Sequence, residues 1–489
     1  MSVVVVGGGP VGMTAALLLA RQGVPTTVLE AAPSREMIGS RSICVQRDVL
    51  DILERAGVGA LVAESGVTWT RGRTFYREHQ VAEITFDVVG DAAFPPFVNT
   101  PQTVVELLLE QQIGAEPLVT LHHGQRVVGL ARDDEGVTVS TSDGEFRGTH
   151  CVAADGIHST VREQLGLAFD GVSFDDKFLI ADIRVDLGFT AERRFYFDPP
   201  WNPGRQVLVH PQPGGVWRID WQVPADFGFE HENLDARIRK IVGDAHYEIV
   251  WLSVYRFQQR RVPRMVVDRV LLAGDAAHVM SPFGARGLNS GIADADNLAW
   301  KIALDRRGLA GPALISSYDT ERGAAAEENL RVTGNTMRFL VPRTDAERAH
   351  RIDVLNRAVT DESARAEIDS GRLATPYSYV DSPLTTSGGG LCPDAQLTSR
   401  GRRLRELGTF VVLTNWCDWR PADEWERAVV GDVIPLDQEE DTVLVDALGL
   451  KPRQAVVVRP DGHVAAVLTE PRGGVNALVS EALRRATGW

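Results

Sequence analysis

The amino-acid sequence predicts an α/β fold that is divided into more than one domain. Its 489 residues exceed what one hydrophobic core usually holds, so two or three domains are expected. A strand–helix–strand pattern occupies the N-terminus, and short alternating strands recur between residues 176 and 262. A third set follows residue 386, with strands predicted at residues 409–415, 441–445 and 455–459 and a helix predicted at residues 476–486. These observations favour an α/β domain, an inserted and mainly antiparallel β-sheet, and a separate C-terminal region.

Composition and charge are those of a globular, acidic protein. Hydrophobic residues make up 44% and charged residues 24% of the chain. The net charge of −15 argues against nucleic acid or an anionic membrane as a partner. The apolar N-terminus has no basic start and is interrupted by glycines, and no later stretch reaches the ~20 apolar residues of a membrane span. We therefore expect a soluble, cytoplasmic protein.

The cysteines do not form a recognisable metal or redox motif. They are Cys44, Cys151, Cys392 and Cys417. No two are close enough in sequence for a metal knuckle or a CxxC pair, so buried structural thiols are expected.

The N-terminal pattern has the spacing of a dinucleotide-binding unit. Residues 2–6 are expected to form a buried parallel strand, residues 10–21 a helix that begins with Pro10 and Val11, and residues 26–30 a second strand. A Gly-x-Gly-x-x-Gly sequence lies between the first strand and the helix. Because this fingerprint requires a strand before it and a helix after it, the sequence predicts a Rossmann-type domain.

Each position of the glycine-rich loop has a physical role in this prediction. Gly7 permits the tight turn, Gly9 lets the backbone approach a pyrophosphate, and Gly12 allows the helix to pack closely on the strand. The helix start offers N–H groups and a positive dipole end to phosphates. Glu30 can accept hydrogen bonds from ribose hydroxyls and would repel a 2′-phosphate, so the site favours FAD or NAD over NADP.

A second candidate site follows an apolar strand predicted for residues 269–273. This strand ends at Gly274 and Asp275, where a carboxylate can hold a polyol chain in the crevice of an α/β sheet. The glycine-rich loop at residues 281–289 then opens a helix predicted for residues 290–304, whose start directs positive charge at whatever precedes it. The alternative for Asp275 is a helix cap or an ordinary turn position, because aspartate is a favoured cap.

Three segments in this order resemble the group A flavoprotein monooxygenases, which are FAD-dependent aromatic hydroxylases. They are the glycine-rich loop, the segment 152–162 with Asp155 and Gly156, and the segment 270–301 with Gly274, Asp275, Pro282, Gly284, Gly287, Leu288 and Asn289. Residues 41–46, 192–200 and 216–220 are similar to the branch named for 3-(3-hydroxyphenyl)propionate hydroxylases. Many family members have two consecutive glycines where this chain has Gly284-Ala285.

The resemblance implies a GR2, p-hydroxybenzoate hydroxylase-like fold. Residues 1–175 and 263–342 would form the FAD-binding domain and residues 176–262 an inserted substrate domain. Residues 343–385 would be a helical linker and residues 386–489 a thioredoxin-like domain. Cys417 falls near the position of a thioredoxin active site but has no second cysteine three residues on. A structural or dimerisation role without redox activity is therefore expected for this domain.

The resemblance also implies roles for individual residues around FAD. Asp275 would bind the ribityl chain, Arg41 and Gln102 would lie near the flavin, and the Asp155-Gly156 pair would bridge FAD and a passing nicotinamide. An ordinary turn remains the alternative for that pair, as does a helix cap for Gln102 and a solvated loop position for Arg286. The predicted cofactor residues are Gly7, Gly9, Pro10, Val11, Gly12, Glu30, Arg41, Gln102, Asp155, Gly156, Gly274, Asp275, Pro282, Gly284, Gly287, Leu288 and Asn289.

The middle region is expected to carry the substrate. Its predicted strands span residues 178–185, 193–197, 206–210, 216–222 and 248–257. The candidate pocket walls are Phe195, Phe197, Trp217, Trp221 and Tyr255, and the candidate polar contacts are His210 and Gln212. Even spacing places Phe195 with Phe197, and Trp217 with Trp221, on one sheet face each. Core packing is the alternative, and more frequent, role for such aromatic pairs.

No Ser/His/Asp elbow, metal-ligand cluster or Walker loop is present in the sequence, so the chemistry is expected to come from the cofactor. The resemblance implies that NADH or NADPH reduces FAD, and that a flavin C4a-hydroperoxide then hydroxylates a phenolic or other electron-rich aromatic substrate. One alternative is an oxygenase of the same fold that hydroxylates, epoxidises or inserts oxygen into a polyketide or other natural-product intermediate. A flavin-bearing binding or sensor protein without turnover is another. The expected partners are a small aromatic molecule and O2, and a homodimer is left open.

Overall fold

The computed structural model describes residues 1–37, 39, 42–86, 92–188, 191–229, 233–397, 401–415, 419–436, 441–469 and 476–489. The predicted site residue Arg41 and the tail residue Cys417 lie outside these ranges. The helices are α1 Pro10–Arg21, α2 Arg47–Arg55, α3 Gly59–Ser65, α4 Gln102–Ala115, α5 Thr160–Gln164, α6 Leu234–Val242, α7 Arg286–Arg306, α8 Ala313–Leu340, α9 Asp345–Ala358, α10 Glu362–Arg365, α11 Glu424–Val429, α12 Thr442–Leu448 and α13 Asn476–Ala486. The strands are β1 Ser2–Val6, β2 Thr26–Leu29, β3 Cys44–Gln46, β4 Arg71–Tyr76, β5 His79–Thr85, β6 Phe97–Asn99, β7 Val119–His122, β8 Val127–Arg132, β9 Val137–Thr141, β10 Glu145–Ala153, β11 Asp170–Ser173, β12 Lys177–Arg184, β13 Arg193–Phe197, β14 Gln206–Gln212, β15 Val216–Val223, β16 Glu248–Tyr255, β17 Gln258–Arg261, β18 Val266–Val267, β19 Val270–Leu272, β20 His278–Val279, β21 Gln396–Leu397, β22 Arg402–Arg403, β23 Phe410–Asn415, β24 Val430–Pro435, β25 Gln454–Val458 and β26 Val464–Thr469.

The N-terminal βαβ unit forms the centre of an eight-stranded sheet. Its order is β18-β19-β10-β1-β2-β7, with β9 on β10 and β8 on β9. The pairs from β19 through β10, β1 and β2 to β7 are all parallel. The strand β1 and the helix α1 have the predicted bounds, because the β-branched run 3–6 is fully buried as a parallel strand requires. The carboxyl ends of these parallel strands therefore meet along one edge.

A seven-stranded, mainly antiparallel sheet contains the middle region. Its order is β16-β12-β15-β14-β13-β4-β5. The five predicted strands are β12 to β16, with ends that differ from the prediction by at most two residues. The hairpin β4–β5 extends the sheet through a parallel β13–β4 pair, although its residues precede position 176. Pairing between strands about 120 residues apart leaves no local sequence pattern, so the sequence did not indicate it.

The C-terminal region has the strand order of a thioredoxin-like domain. Its sheet is β24-β23-β25-β26, in which β24 is parallel to β23 whereas β25 is antiparallel to both of its neighbours. The strand predicted at residues 441–445 is instead the helix α12, and β24 was not predicted. A short apolar run cannot be assigned to helix or strand by periodicity alone, which explains this error. The helix predicted for Asn476–Ala486 is α13.

The three cysteines within the described ranges, Cys44, Cys151 and Cys392, are buried free thiols, as expected. Burial raises the pKa of Cys44 to about 12, so it remains a thiol near neutral pH. Among the helices of the described segments, none is both long enough and apolar enough to cross a membrane.

Candidate flavin site

The starts of α1 and α7 converge at the carboxyl edge of the parallel sheet. A β-carbon added at Gly291 of α7 would lie 2.6 Å from a methyl carbon of Val11 in α1, and one added at Gly274 would lie 3.1 Å from it. Neither helix start has a side-chain cap, so first-turn N–H groups remain available to a ligand. Two positive helix ends at one strand edge are suited to a dinucleotide.

The glycine-rich loop has a geometry that matches the predicted roles. Gly7 has φ +105°, and a β-carbon there would lie 2.3 Å from the carbonyl oxygen of Ala154. A β-carbon at Gly12 would lie 2.0 Å from the carbonyl oxygen of Gly7, whereas one at Gly9 would meet no atom within 4 Å. Gly7 and Gly12 are therefore required by close backbone contacts, and Gly9 leaves the loop open. This cradle fits the diphosphate of FAD.

Glu30 and Arg35 hold the loop from its second side. The carboxylate of Glu30 accepts hydrogen bonds from the N–H of Gly8 at 2.8 Å and from the N–H of Ala32 at 2.7 Å. Arg35 donates to the carbonyl oxygen of Gly8 at 2.9 Å and to Glu106 at 2.9 Å. The sequence analysis missed Arg35, because it lies in an irregular segment outside any motif. It places a cation beside the loop that would receive phosphates.

The Asp155-Gly156 pair lies in a turn beside the glycine-rich loop. Asp155 accepts hydrogen bonds from Ser159 Oγ at 2.6 Å and from the N–H of Val161 at 3.1 Å. Burial raises the pKa of Asp155. Gly156 has φ +77° and open space at its β-carbon position. The carboxylate thus stabilises the turn, which was the alternative considered for this pair, and its contact with a nicotinamide remains a prediction.

Arg162 connects this turn to the third motif. Its guanidinium donates to the carbonyl oxygens of Ala276 at 3.1 Å and Ile157 at 2.8 Å. The guanidinium therefore connects the turn and the third motif through backbone carbonyl groups.

The third motif is held by Asp294, which the sequence analysis did not select. Asp294 accepts hydrogen bonds from the N–H of Gly274 at 2.9 Å and from His278 Nε2 at 2.8 Å. Its other oxygen accepts from Arg322 Nε at 2.6 Å. Burial would raise the pKa of Asp294, but Arg322 and His278 outweigh it and lower the pKa. Asp294 is therefore a buried anion that fixes the loop carrying Asp275.

Asp275 follows Gly274 at the carboxyl end of β19. The cap position of the short 3₁₀ turn that contains it is Ala273, and the cap position of α7 is Ala285. Asp275 therefore does not occupy the cap position of either element, but it lies within this turn, which is the other alternative considered for it. Its contact with a ribityl chain remains a prediction.

The loop before α7 contains the departure from the family pattern. Pro282, Gly284, Gly287 and Leu288 lie in or next to this loop. Ala285 has φ +55° and ψ +38°, which is the left-handed region that glycine adopts without strain. Arg286 is buried and donates to Asn329 Oδ1 at 2.5 Å and to the carbonyl oxygen of Arg372 at 3.1 Å. It is therefore not the solvated loop residue considered in the sequence analysis.

Asn289 and Gln102 join the helix starts to the segment that contains Arg41. Asn289 donates to the carbonyl oxygen of Cys44 at 2.9 Å and accepts from the N–H of Gln46 at 3.0 Å. The N–H of Gln102 donates to the carbonyl oxygen of Ser42 at 3.0 Å. Gln102 is the first residue of α4, whose cap position is Pro101, so the capping alternative for Gln102 is wrong.

The aromatic candidates lie in the core. Phe195 and Phe197 are fully buried and pack on each other at 4.7 Å between ring centroids. Phe195 also contacts Phe283, next to Pro282, at 6.3 Å. Tyr255 packs on Phe257 at 5.6 Å and belongs to the same cluster. This packing agrees with the core role that was considered as the alternative, and a pocket-wall role for these residues remains a prediction.

Trp217 and Trp221 occupy the opposite face of the same sheet. They pack with Ile238 and Val242 of α6. The even spacing within each aromatic pair correctly indicated a shared face, but it could not show that the two pairs face opposite ways. The tryptophans therefore belong to the core beneath α6.

His210 and Gln212 lie on the face that carries Phe195. Burial and the nearby charges of Arg193 and Arg218 lower the pKa of His210 well below its usual value, so the imidazole is neutral at pH 7. His210 Nδ1 and Gln212 Oε1 are buried and have no hydrogen-bond partner within the described ranges. Asn99 donates to the carbonyl oxygen of Pro211 at 2.9 Å and pairs with Cys44. The polar candidates are thus connected to β3, which Asn289 binds.

Comparison with known proteins agrees with this geometry. The model of the FAD binding domain family matches residues 1–333. A dialkyldecalin synthase of Streptomyces rugosporus is 31% identical over 97% of this chain and 97% of its own length. A 3-(3-hydroxy-phenyl)propionate/3-hydroxycinnamic acid hydroxylase of Paraburkholderia xenovorans is 32% identical over 68% of this chain and 54% of its own length.

A solved structure shows the same fold over the whole chain. The flavin-dependent monooxygenase PieE, in complex with FAD and substrate, superimposes with a TM-score of 0.83 over 99% of this chain and 98% of its own, at 24% identity. The domain that holds the glycine-rich loop, Asp294 and the start of α7 is thus an FAD-binding domain, and the chain belongs to the FAD binding domain family as an FAD-dependent monooxygenase.

Proposed function

We propose that the protein hydroxylates a phenolic or other electron-rich aromatic substrate and consumes NADH or NADPH. The observation that carries this proposal is the position of His210 and Gln212. Both lie on a sheet face that reaches the flavin-binding segment through Asn99 and Cys44. A neutral imidazole and an amide with unsatisfied atoms can bind a hydroxyl group beside an apolar ring.

FAD supplies the redox and oxygen chemistry of this reaction when it is bound. The chain's own residues would bind and orient it. The glycine-rich loop and Arg35 would hold the diphosphate, Glu30 a ribose and Asp275 the ribityl chain. The start of α7 would direct its positive end at the ring and favour an anionic reduced form. Arg41 is proposed to lie alongside the ring.

The domains would divide this work. Residues 1–175 and 263–342 would bind FAD, and residues 176–262 together with the hairpin β4–β5 would cover the substrate. We further propose that the acidic chain acts in the cytoplasm without nucleic acid or membrane partners. A separate proposal is that its thioredoxin-like domain provides homodimer contacts.

The names of the relatives favour two substrate classes. The Paraburkholderia relative is named for a hydroxyphenylpropionate, which is a phenol. The Streptomyces rugosporus relative is named for synthesis of a dialkyldecalin, which is not an aromatic hydroxylation. Oxygenation of a natural-product intermediate is therefore the second candidate, because this relative matches nearly the whole chain.

Reduction kinetics and product analysis test the proposal. Holoenzyme is mixed with NADH or NADPH under O2, alone and with a panel of phenols, and flavin reduction and hydroxylated product are followed. A phenol that accelerates flavin reduction and gains one atom of ¹⁸O from ¹⁸O2 would support it. Oxidation of NAD(P)H without any oxygenated phenol, together with oxygenation of polyketides, would favour the second candidate. A protein that never oxidises NAD(P)H would overturn both.

A further inference from the structure

A polar row crosses the sheet face that carries His210. The strand register places His210 opposite Arg218, and Arg218 opposite Asp182. Continuing the β13–β14 register by one residue places Arg193 opposite His210. The row therefore spans four neighbouring strands, a length of about 14 Å at the usual strand spacing.

The row faces the segment that leads to the flavin-binding strand β3. The guanidinium of Arg218 lies over the ring of Trp251, at 5.4 Å from its centroid. A β-carbon added at Gly39 would lie 2.8 Å from that same ring. Gly39 therefore lies against Trp251 at this end of the sheet face, five residues before Cys44.

Most charges of the row are paired inside the protein. Arg218 donates to both carboxylate oxygens of Asp182, at 2.7 and 2.8 Å. Arg193 donates to the carbonyl oxygen of Ser370 at 2.8 Å and lies over the ring of Phe195. Arg218 and Arg193 therefore both have partners within the protein.

Asp220, unlike the paired charges of the row, has a carboxylate oxygen without a partner among the described residues. It lies two residues after Arg218 on the same face, opposite Leu208 and Ile180. Its Oδ1 atom is buried and has no hydrogen-bond partner in the part of the chain that the structure describes. Buried polar atoms are nearly always hydrogen-bonded, and a buried carboxyl group without a donor is costly. A carboxylate oxygen in this state, on the face proposed to hold the substrate, is suited to a ligand that donates a hydrogen bond to it.

We propose that Asp220 binds a hydroxyl group of the aromatic substrate and accepts its proton during oxygen transfer. This inference rests on the proposed function and names its substrate class as one that carries a hydroxyl donor. The O–H bond of the substrate breaks, the proton passes to a carboxylate oxygen of Asp220, and the electron pair stays on the substrate oxygen. From there it enters the ring that is being oxygenated. By accepting the proton, Asp220 makes the ring more electron-rich during oxygen transfer.

The charges around Asp220 suit this role. Burial raises the pKa of Asp220 to about 7, Arg218 opposes this rise and Asp182 adds to it. Burial and the charges of Arg193 and Arg218 hold the pKa of His210 well below its usual value, so its imidazole is a weaker base than Asp220 and does not compete for the proton. The carboxylate form becomes predominant as the pH rises through 7. Hydroxyl binding should strengthen over that interval, since the carboxylate is the better acceptor.

Binding of two matched probes tests this inference without turnover. Calorimetry on the oxidised holoenzyme compares 2-naphthol with 2-methoxynaphthalene, which has the same rings but no hydroxyl donor. At pH 8 we expect 2-naphthol to bind roughly ten- to a hundredfold more tightly than 2-methoxynaphthalene. This factor corresponds to the free energy of one charge-assisted hydrogen bond. This preference should shrink at pH 6. The pH dependence is measured on the unaltered protein and needs no variant.

Asp220→Asn keeps the shape of the side chain and removes its charge. We expect the preference for 2-naphthol to fall to a few-fold and to lose its pH dependence, while FAD content stays the same. Asp226→Asn, at an exposed position after β15, is the matched control and should behave like the unaltered protein. An unaltered protein that binds both probes equally, or an Asp220→Asn variant that keeps the full preference, would overturn the inference. The phenol-dependent flavin reduction described above would be unaffected by either result, so the two proposals can fail separately.

Discussion

Arg459, in the C-terminal domain, donates both terminal guanidinium nitrogens to the carboxylate of Glu321 in α8, at 2.5 and 2.9 Å. Lys301 of α7 donates to the same carboxylate at 2.7 Å, and all three side chains are buried. Burial alone would raise the pKa of Glu321, but Arg459 and Lys301 hold it well below its usual value. Buried ion pairs therefore connect the thioredoxin-like domain to α7 and α8, the two helices that pack behind the flavin site.

Removing Arg459 should destabilise the whole chain. Arg459→Met leaves Glu321 with one cation fewer in a buried site, and breaking a buried pair of this kind costs about 3–5 kcal/mol. Denaturant unfolding of the holoenzyme measures the loss. Arg402→Met is the control, because its exposed pair with Glu406 at 3.6 Å should contribute about 1 kcal/mol or less. Equal losses in the two variants would contradict this interpretation.

Replacing Asp294 should weaken FAD binding, although Asp294 acts on the loop that carries Asp275 and is not proposed to contact FAD itself. Asp294→Asn keeps the side-chain shape but removes the anion shared by Gly274, His278 and Arg322. We expect FAD affinity to fall about tenfold because the loop carrying Asp275 is released, together with a loss of stability of about 3–5 kcal/mol. Asp305→Asn, near the far end of α7, should leave FAD affinity unchanged. FAD dissociation and melting are measured on both, and normal affinity in Asp294→Asn would refute the positioning role.

Replacing Asp275 should affect FAD affinity more than the stability of the protein, in contrast to replacing Asp294. If its carboxylate holds the ribityl chain, Asp275→Asn loses a charge-assisted hydrogen bond worth roughly 1.5–3 kcal/mol. FAD affinity should fall about tenfold to a hundredfold, whereas the apo-protein should keep its folded core. Asp275→Ala should bind FAD more weakly still. Unchanged FAD affinity in both variants would remove Asp275 from the site.

Ala285 should tolerate glycine, unlike an ordinary helix position. Its left-handed backbone costs a residue with a β-carbon about 1–3 kcal/mol, and glycine adopts it freely. The greater freedom of glycine in the unfolded chain offsets about 0.4–1 kcal/mol of this gain. Ala285→Gly should therefore leave the free energy of unfolding equal or higher. Ala293→Gly, inside α7, should lower it by about 1 kcal/mol. A clear loss in Ala285→Gly would show that other contacts of the side chain dominate.

The sequence by itself determined the features that depend on neighbouring residues. The strand at 2–6 with its β-branched run 3–6, the glycine spacing and the helix at 10–21 are local patterns, and the structure has them at the predicted positions. The five strands of the middle region follow from alternation and intervening Pro and Gly, which act over a few residues. Membership of the flavin-dependent family followed from three motifs whose residue types serve backbone turns and phosphate contacts.

Tertiary structure alone decided which distant side chains meet. Asp294 and Arg322 lie within an ordinary helical pattern, and only the packing of α7 on α8 brings them together behind Gly274. Strand alternation predicted that Trp217 and Trp221 share a face, but the position of α6 decided that this face is turned away from the site. Asp220 had no motif to mark it, because its distinguishing property is a buried Oδ1 atom without a partner among the described residues. Such a property arises only when burial removes water and the surrounding strands supply no donor.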